Sequence, residues 1–222
     1  MKEETFLKNE WCRHFNLYAY TSTKFYRIAG CFVVGFEMIK IPNRGLIQPH
    51  LMVYPLWRDD IKLCMKHPYV MYGLLDKNNL QVQLPIQEIL QTKDEIFKEF
   101  EEYIGFDIKK DILGTDMYVL INKCFSHQIN DPWRLMEVNE SNIILSTYMN
   151  DRKMFDKAVQ SLDEAFIYIR PHLNLIERFY GKYEGWKEDL LSSFCDRDAI
   201  LTRIENNIAN CKVNSKCELL PM

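Results

Sequence analysis

Glycine-rich phosphate-binding motifs are missing from this chain of 222 residues, which contains only eight glycines. Neither GxGxxG nor GxxxxGKS/T occurs, so the usual backbone cradles for nucleotide phosphates are excluded. The serine nucleophile motif GxSxG is missing as well. The sequence therefore predicts no nucleotide cofactor and presents no catalytic signature.

Paired metal ligands are also missing. The five histidines form no HxxxH or HxH pattern, and the seven cysteines include no CxxC pair. Because zinc sites usually bring ligands at short spacing, we predict no metal site and reduced thiols. Cys64 with His67, and Cys124 with His127, could each share a helical face. No third orienting group accompanies either pair, so neither is predicted to be catalytic.

An excess of basic charge is the next feature that the sequence lacks. The formal net charge is −3 and the isoelectric point is near 6.0, with basic residues scattered along the chain. This balance argues against binding to nucleic acid or to an anionic membrane. The longest dense apolar run, IAGCFVVGF at 28–36, is far shorter than the roughly 20 residues of a membrane span. Without a signal-peptide pattern either, the sequence predicts a soluble, cytoplasmic protein.

Apolar residues are abundant, at 47% of the chain, and their pattern predicts both helices and strands. Helical spacing predicts a first helix over 3–18. Between 24 and 84, runs of β-branched and aromatic residues alternate with turns, which predicts four or five antiparallel strands. TDMYVLINKCF (115–125), compatible with strand or helix, and NIILSTY (142–148), which resembles a short strand, would extend this sheet across 115–148.

Most of the remaining chain is predicted to be helical. One apolar stripe runs from Pro85 to Gly105, the strongest helical period follows residue 151, and a last helix spans 196–209. The tail beyond it is predicted to be frayed. No repeat or linker divides the chain. We therefore predict a single α+β domain over 1–222, an antiparallel sheet covered by helices, with a helical C-terminal third.

The run IQPHLMVYPLW (47–57) has the composition of a core strand but contains two prolines. Pro49 and Pro55 are six residues apart, so both missing N–H donors fall on the same edge of a strand. This spacing favours an edge strand, or a strand paired only over a short middle at 50–54.

Five residues are candidates for a binding site: Arg27, Glu37, His50, Tyr54 and Trp57. Glu37 interrupts an apolar strand run, so its carboxylate either faces solvent or pairs with a cation. Arg27 is a possible partner, although a hairpin turn at 29–30 would carry it out of reach. His50 and Tyr54 share one strand face. The many aromatic residues are expected first in the core and second in a protein interface, where Tyr and Trp are enriched.

The strand pair FYRIAGCFVVGFEMIK and PHLMVYPLW, with the later helical segment SLDEAFIYIRPHLNLIERF, resembles small uncharacterised bacterial α+β domains. Some of those domains are found in toxin–immunity neighbourhoods. The resemblance covers roughly residues 11–57 and 155–190. The resemblance is in the pattern of strand-like and helix-like segments, and no catalytic motif is shared. It therefore implies an α+β fold and no enzyme activity.

Two functions remain open at this point. The first is a non-enzymatic protein-interaction factor, of immunity or accessory type, whose partner is another protein. The alternative is an enzyme or small-molecule binder with a site on the sheet face near His50, Glu37 and Arg27. A third function, nucleic-acid binding, is disfavoured by the charge, and a gel shift with DNA or RNA that depends on salt would revive it.

Overall fold

The computed structural model describes residues 3–125 and 131–220, which form an α+β fold. The helices are α1 (Glu3–Phe15), α2 (Ile61–Cys64), α3 (Ile86–Gln91), α4 (Lys93–Ile104), α5 (Gly114–Phe125), α6 (Pro132–Met149), α7 (Arg152–Ile169), α8 (Leu173–Tyr180), α9 (Tyr183–Ser192) and α10 (Arg197–Asn210). The strands are β1 (Tyr18–Ala19), β2 (Lys24–Ala29), β3 (Phe32–Ile41), β4 (Leu46–Pro55), β5 (Val70–Gly73), β6 (Leu84–Pro85), β7 (Ile112–Leu113), β8 (Lys216–Cys217) and β9 (Leu219–Leu220).

Within the described residues, seven of these strands form one sheet. Its order is β1-β2-β3-β4-β5, with β6 also beside β4 and β8 beside β2. The pairs are antiparallel except for β2 with β8, and β7 with β9 makes a separate parallel pair. The antiparallel sheet predicted within 24–84 is confirmed.

The β2–β3 hairpin decides which side chains meet across the sheet. Its last paired residues are Ala29 and Phe32, so the turn lies at Gly30 and Cys31, one residue later than predicted. Gly30 has a φ of +54°, which a residue without a Cβ adopts readily. The resulting register places Arg27 opposite Val34.

Strand β4 lies inside the sheet, so the edge-strand prediction for 47–57 is wrong. It pairs with β3 along its whole length but with β5 only from His50 to Val53. The carbonyl of Val53 accepts a hydrogen bond from the Tyr69 N–H at 2.8 Å, which shows that its backbone faces β5. Alternate residues face the same neighbour, so the nitrogens of Pro49 and Pro55 also point to that side. The prolines therefore limit the pairing with β5 to His50–Val53, whereas the pairing with β3 is not confined to the short middle that the alternative prediction described.

Helices cover one face of the sheet through aromatic side chains. Leu7, Trp11 and Phe15 form the predicted buried stripe of α1, which ends at Phe15 and not at residue 18. The Phe15 ring lies 4.5 Å from that of Phe36 on β3, and the Phe100 ring of α4 lies 4.8 Å from it. These contacts place α1 and α4 against the same sheet face.

The predicted extension of the sheet across 115–148 is wrong, because the described part of this segment is helical. The run 115–125 lies in α5, and NIILSTY lies in α6. Every residue of α6 from Val138 to Thr147 is buried. A helix that is buried on all sides shows no amphipathic period, so its apolar part resembles a short strand.

Two further details differ from prediction between 80 and 105. The alternating run 80–84 predicts a strand, but only the isolated bridge at Gln81 and the two-residue β6 form there. The stripe from Pro85 to Gly105 is divided at Thr92 into α3 and α4. Gly105 ends α4 in the left-handed conformation, with a φ of 81°.

The tail is paired up to residue 220, so the prediction that it frays is wrong for this part, and residues 221–222 lie outside the described ones. The N–H of Ile28 donates to the Ser215 carbonyl at 2.8 Å, and the N–H of Ile112 donates to the Glu218 carbonyl at 3.0 Å. Leu219 is buried, and a Cβ added to Gly30 would lie 2.4 Å from its Cδ1 atom. The tail therefore joins the β2 edge to the segment before α5.

The longest described helices are α6 and α7, with 18 residues each. Asn150 and Asp151 are both possible caps by sequence, and Asp151 caps α7, since its carboxylate accepts from the Met154 N–H at 2.9 Å. A 3-10 turn containing Pro171 separates α7 from α8. No helix in the described ranges combines the length and apolarity that crossing a membrane requires.

Candidate functional site

The predicted site residues fall into three separate places. Glu37 and His50 are direct partners across β3 and β4 and share a face with Tyr54. Arg27 lies on the opposite face, because its strand partner is Val34. Trp57 lies beyond the end of β4, in the wall of a pocket.

Glu37 is at the centre of a buried hydrogen-bond cluster. Its Oε1 atom accepts from the hydroxyl of Tyr26 and, at 2.5 Å, from that of Tyr54, while its Oε2 atom lies 3.0 Å from Nζ of Lys24. Burial alone would raise the pKa of this carboxyl group, but the two hydroxyls and the ammonium group outweigh it and lower the pKa. The group is therefore a carboxylate whose oxygens are already satisfied by the protein.

His50 lies beside this cluster and is closed to solvent, with 3% of its surface exposed. Its Nδ1 atom is 3.1 Å from the carbonyl of Gln48, and a Cβ added to Gly73 would lie 2.8 Å from its Nε2 atom. Burial lowers the pKa of the imidazole, so the ring is neutral near pH 7. The ring fills the space that the absent side chain of Gly73 leaves.

Arg27 joins distant parts of the backbone. Its guanidinium donates to the carbonyls of Ile108, of Lys110 at 3.4 Å and of Lys216 at 3.1 Å. The residue is 2% exposed. Arg27 therefore stabilises the packing of the tail and does not line a site with Glu37.

Trp57 lies in a pocket of about 470 Å³ beside the end of β4. The pocket lies between the segment that follows β4, helix α6, the C-terminal end of α8 and the middle of α10. Its lining residues are Trp57, Arg58, Asp59, Leu63, His67, Tyr69, Glu137, Glu140, Tyr180 and Arg203.

The inner wall of this pocket is organised around Glu140 of α6. Its Oε1 atom accepts from the indole N–H of Trp57 at 2.9 Å and lies 3.2 Å from a guanidinium nitrogen of Arg58. Arg58 also donates to the hydroxyl of Tyr69, and its guanidinium carbon lies 5.3 Å from the centre of that ring. A buried carboxylate with a cation and an N–H donor is compensated by its neighbours.

Glu137 lies one helical turn before Glu140 and is less well compensated. Its Oε2 atom accepts from Arg134 at 2.7 Å, and no hydrogen bond to Oε1 is found within residues 3–125 and 131–220. Burial raises the pKa of Glu137, against the attraction of Arg134. The nearby charge of Glu140 raises this pKa further, while that of Arg58 lowers it. Glu137 is thus a partly buried carboxyl group with one oxygen left for a ligand.

Helix α10 binds residues 56–58, which follow β4 and form part of the pocket wall. The side-chain amide of Asn207 donates to the carbonyls of Leu56 and Arg58, at 2.9 and 2.8 Å. Arg203, one turn earlier, has a long contact of 3.4 Å with the carbonyl of Trp57 and is otherwise exposed at the rim. The wall is therefore fixed by buried hydrogen bonds, while its rim carries a solvated cation.

The Cys64–His67 pair does not form a reactive site, and the Cys124–His127 pair includes a residue outside the described ones. Burial raises the pKa of Cys64 to about 11, so its thiolate is disfavoured at neutral pH, while His67 lies exposed at the pocket rim. Cys124 is close to the Tyr103 hydroxyl, with 2.9 Å between sulfur and oxygen, and His127 lies outside the described residues. All seven cysteines are free, and the described His, Cys, Asp and Glu residues form no group suited to a metal ion.

The sequence analysis predicted Trp57 as a site residue but none of its charged neighbours. Glu137 and Glu140 lie three residues apart on a helix, a spacing that puts both on one face. This shared face was not recognised because the segment after the two residues, 142–148, was predicted to be a strand. Arg58 and Tyr69 belong to an irregular connection, for which periodicity gives no information.

Comparison with family models, with curated proteins and with solved structures found no match for this chain. The similarity to small bacterial α+β domains therefore stays a prediction.

Proposed function

We propose that this protein binds a small polar molecule in the Trp57 pocket. The observation that carries the proposal is a cavity of about 470 Å³ in which aromatic rings and buried charges converge. Ligand sites are typically concave, of roughly 300–1,000 Å³, with aromatic walls and a few well-placed polar groups. Trp57, Tyr69 and Glu140 supply such a wall.

The pocket is a better candidate than the predicted site on the sheet face. Near Glu37, the hydroxyls of Tyr26 and Tyr54 already occupy the carboxylate, and Glu37 itself is 8% exposed. A ligand there would have to displace internal hydrogen bonds without gaining access to solvent. Of the five predicted residues, we assign only Trp57 to the ligand site. We assign no group a role in bond making or breaking.

A fragment screen by thermal denaturation and ligand-observed NMR tests this proposal. The library includes cationic, anionic and neutral compounds, because binding to the folded state raises its stability. The informative variant is Leu63→Trp, since Leu63 lines the pocket and is 46% exposed, so a larger ring would fill the opening without entering the core. Leu113→Trp is the matched control, because Leu113 is 42% exposed and lies in β7.

We expect fragments that stabilise the wild type and Leu113→Trp but not Leu63→Trp. A change in tryptophan fluorescence that a fragment causes in the wild type but not in Trp57→Phe gives a second measurement at the same site. If the library yields no binder that Leu63→Trp abolishes, the pocket is not a ligand site and the proposal is wrong.

Binding to another protein is the second candidate function, as an accessory or immunity-type factor. It is favoured by apolar side chains that are exposed around the junction of α7 and α8. Ile167 is 74% exposed, Tyr168 50% and Leu175 45%. Exposed apolar groups close together on a surface are typical of protein interaction sites.

Capture of partners with the tagged chain from its native host tests this second function. A stoichiometric partner should be recovered with the wild type and lost with Ile167→Asp. Val119→Asp is the control, since Val119 is 60% exposed on α5, outside the junction. A chain that is monomeric and recovers no partner would contradict this function.

A further inference from the structure

We infer that the ligand of the Trp57 pocket carries a positively charged amine, which binds beside Glu137. This inference rests on the proposed function, since it names the chemical class that the same pocket accepts. Three features carry it: the charges of the lining residues, the free oxygen of Glu137 and the aromatic ring of Tyr180.

The lining charges leave one acceptor open to a ligand. Glu140 is paired with Arg58, and Glu137 is paired with Arg134 through one oxygen. Asp59 and Arg203, of opposite charge, are both exposed, where a charge interacts weakly with the interior. The acceptor that remains is the second oxygen of Glu137, which a cation can contact and an anion would face with repulsion.

Glu137 is the group that such a cation would contact. Its side chain is 16% exposed and has Arg134 on one oxygen only. A partly buried carboxylate that its own protein compensates incompletely gains most from an added cation. Burial raises the pKa of this group although Arg134 lowers it, which agrees with a carboxylate that its surroundings compensate incompletely.

Tyr180 supplies the second contact. It lies at the C-terminal end of α8, lines the pocket and packs at 5.8 Å from the Trp133 ring. The face of an aromatic ring attracts an ammonium group within about 6 Å of its centre. The ring of Tyr69 already contacts Arg58 in this way, and Trp57 is held by its N–H bond to Glu140, so we assign the ring of Tyr180 to the ligand.

Three probes of the same shape and different charge test the inference. Benzylammonium, benzyl alcohol and benzoate share one ring and differ in the polar group. Titration by calorimetry or NMR at pH 7 should give benzylammonium an affinity at least tenfold higher than that of either other probe. The Glu137→Gln variant should lose this preference while its affinity for benzyl alcohol is unchanged. Glu188→Gln is the matched control, because Glu188 is an exposed residue of α9.

The possible outcomes separate the ligand class from the pocket itself. If benzoate or benzyl alcohol binds as tightly as benzylammonium, or if the binders abolished by Leu63→Trp are mainly anions, the amine inference is wrong and the proposed function stands. If no compound binds in a way that Leu63→Trp abolishes, both are wrong. Should Glu137→Gln fail to fold, the ranking of the three probes on the wild type decides the question.

Discussion

The carboxylate of Glu37 is a negative charge inside the sheet, and three neighbouring side chains donate to it. The hydroxyls of Tyr26 and Tyr54 come from the two adjacent strands, β2 and β4. Lys24 is 40% exposed in its side chain, so solvent screens its contribution. The tyrosine hydroxyls therefore provide most of the stabilisation of this carboxylate.

The Glu37→Gln substitution removes that charge while it keeps the shape of the side chain. We expect the free energy of unfolding to fall by about 2 kcal/mol, because hydrogen bonds to a charged acceptor become neutral ones. Urea denaturation at pH 7 measures the change. Glu99→Gln, at an exposed position of α4, is the control and should change stability little. An equal effect of both substitutions would show that the cluster does not stabilise the fold.

The same cluster predicts how the stability depends on pH. The pKa of Glu37 in the folded protein lies below its ordinary value of 4.5, so the unfolded chain takes up the proton first as pH falls. The stabilisation is complete above pH 4.5 and is lost as pH falls through the lowered pKa. The difference in unfolding free energy between wild type and Glu37→Gln should therefore shrink in acid. A difference that stays constant from pH 7 to pH 3.5 would contradict this assignment.

Helix caps allow a prediction at the scale of single elements. The Asp151 carboxylate accepts a backbone hydrogen bond at the start of α7, whereas Asp196, at the start of α10, makes no such bond. Asp151→Ala should lower the unfolding free energy by about 1 kcal/mol, and Asp196→Ala should leave it nearly unchanged. Thermal denaturation of the two variants side by side measures this contrast. Equal losses would show that the two caps do not differ.

How far the sequence predicts an element depends on how that element is buried. The α1 stripe of Leu7, Trp11 and Phe15 was predictable, because one face of that helix is apolar and the other is not. Helix α6 was not, since polar residues such as Asn142 and Thr147 are buried along with its apolar ones. In such a helix no period separates core from surface.

The candidate site was predictable only in part for a related reason. Trp57 could be predicted as a candidate because it is a large aromatic residue at the end of a predicted strand. Its partner Glu140 is 83 positions away and belongs to the misassigned helix, so only the folded chain brings the two together. The partner of Arg27 across β2 and β3 depends on the position of a turn, and an error of one residue there changes every partner across that hairpin.

At the scale of the whole molecule, loss of the C-terminal tail should destabilise both β2 and the segment before α5, because the tail is bonded to each of them. Leu219 is 8% exposed and packs over Gly30, whereas its neighbour Leu220 is 36% exposed. Leu219→Ala should lower the unfolding free energy by about 2 kcal/mol, and Leu220→Ala by much less. Chemical denaturation compares the two variants directly. A similar loss for both would mean that the tail is held by its backbone bonds and not by this side chain.

The contact between Arg27 and the tail joins two residues that are synthesised at very different times. The acceptor at Lys216 is 189 residues downstream of the arginine, so β2 is synthesised long before its parallel neighbour. Until then the outer edge of β2 beside Ile28 is open, and open strand edges pair readily with other chains. A chain interrupted before residue 215 keeps this edge exposed. Completion of the sheet during biosynthesis therefore waits for a segment that leaves the ribosome much later.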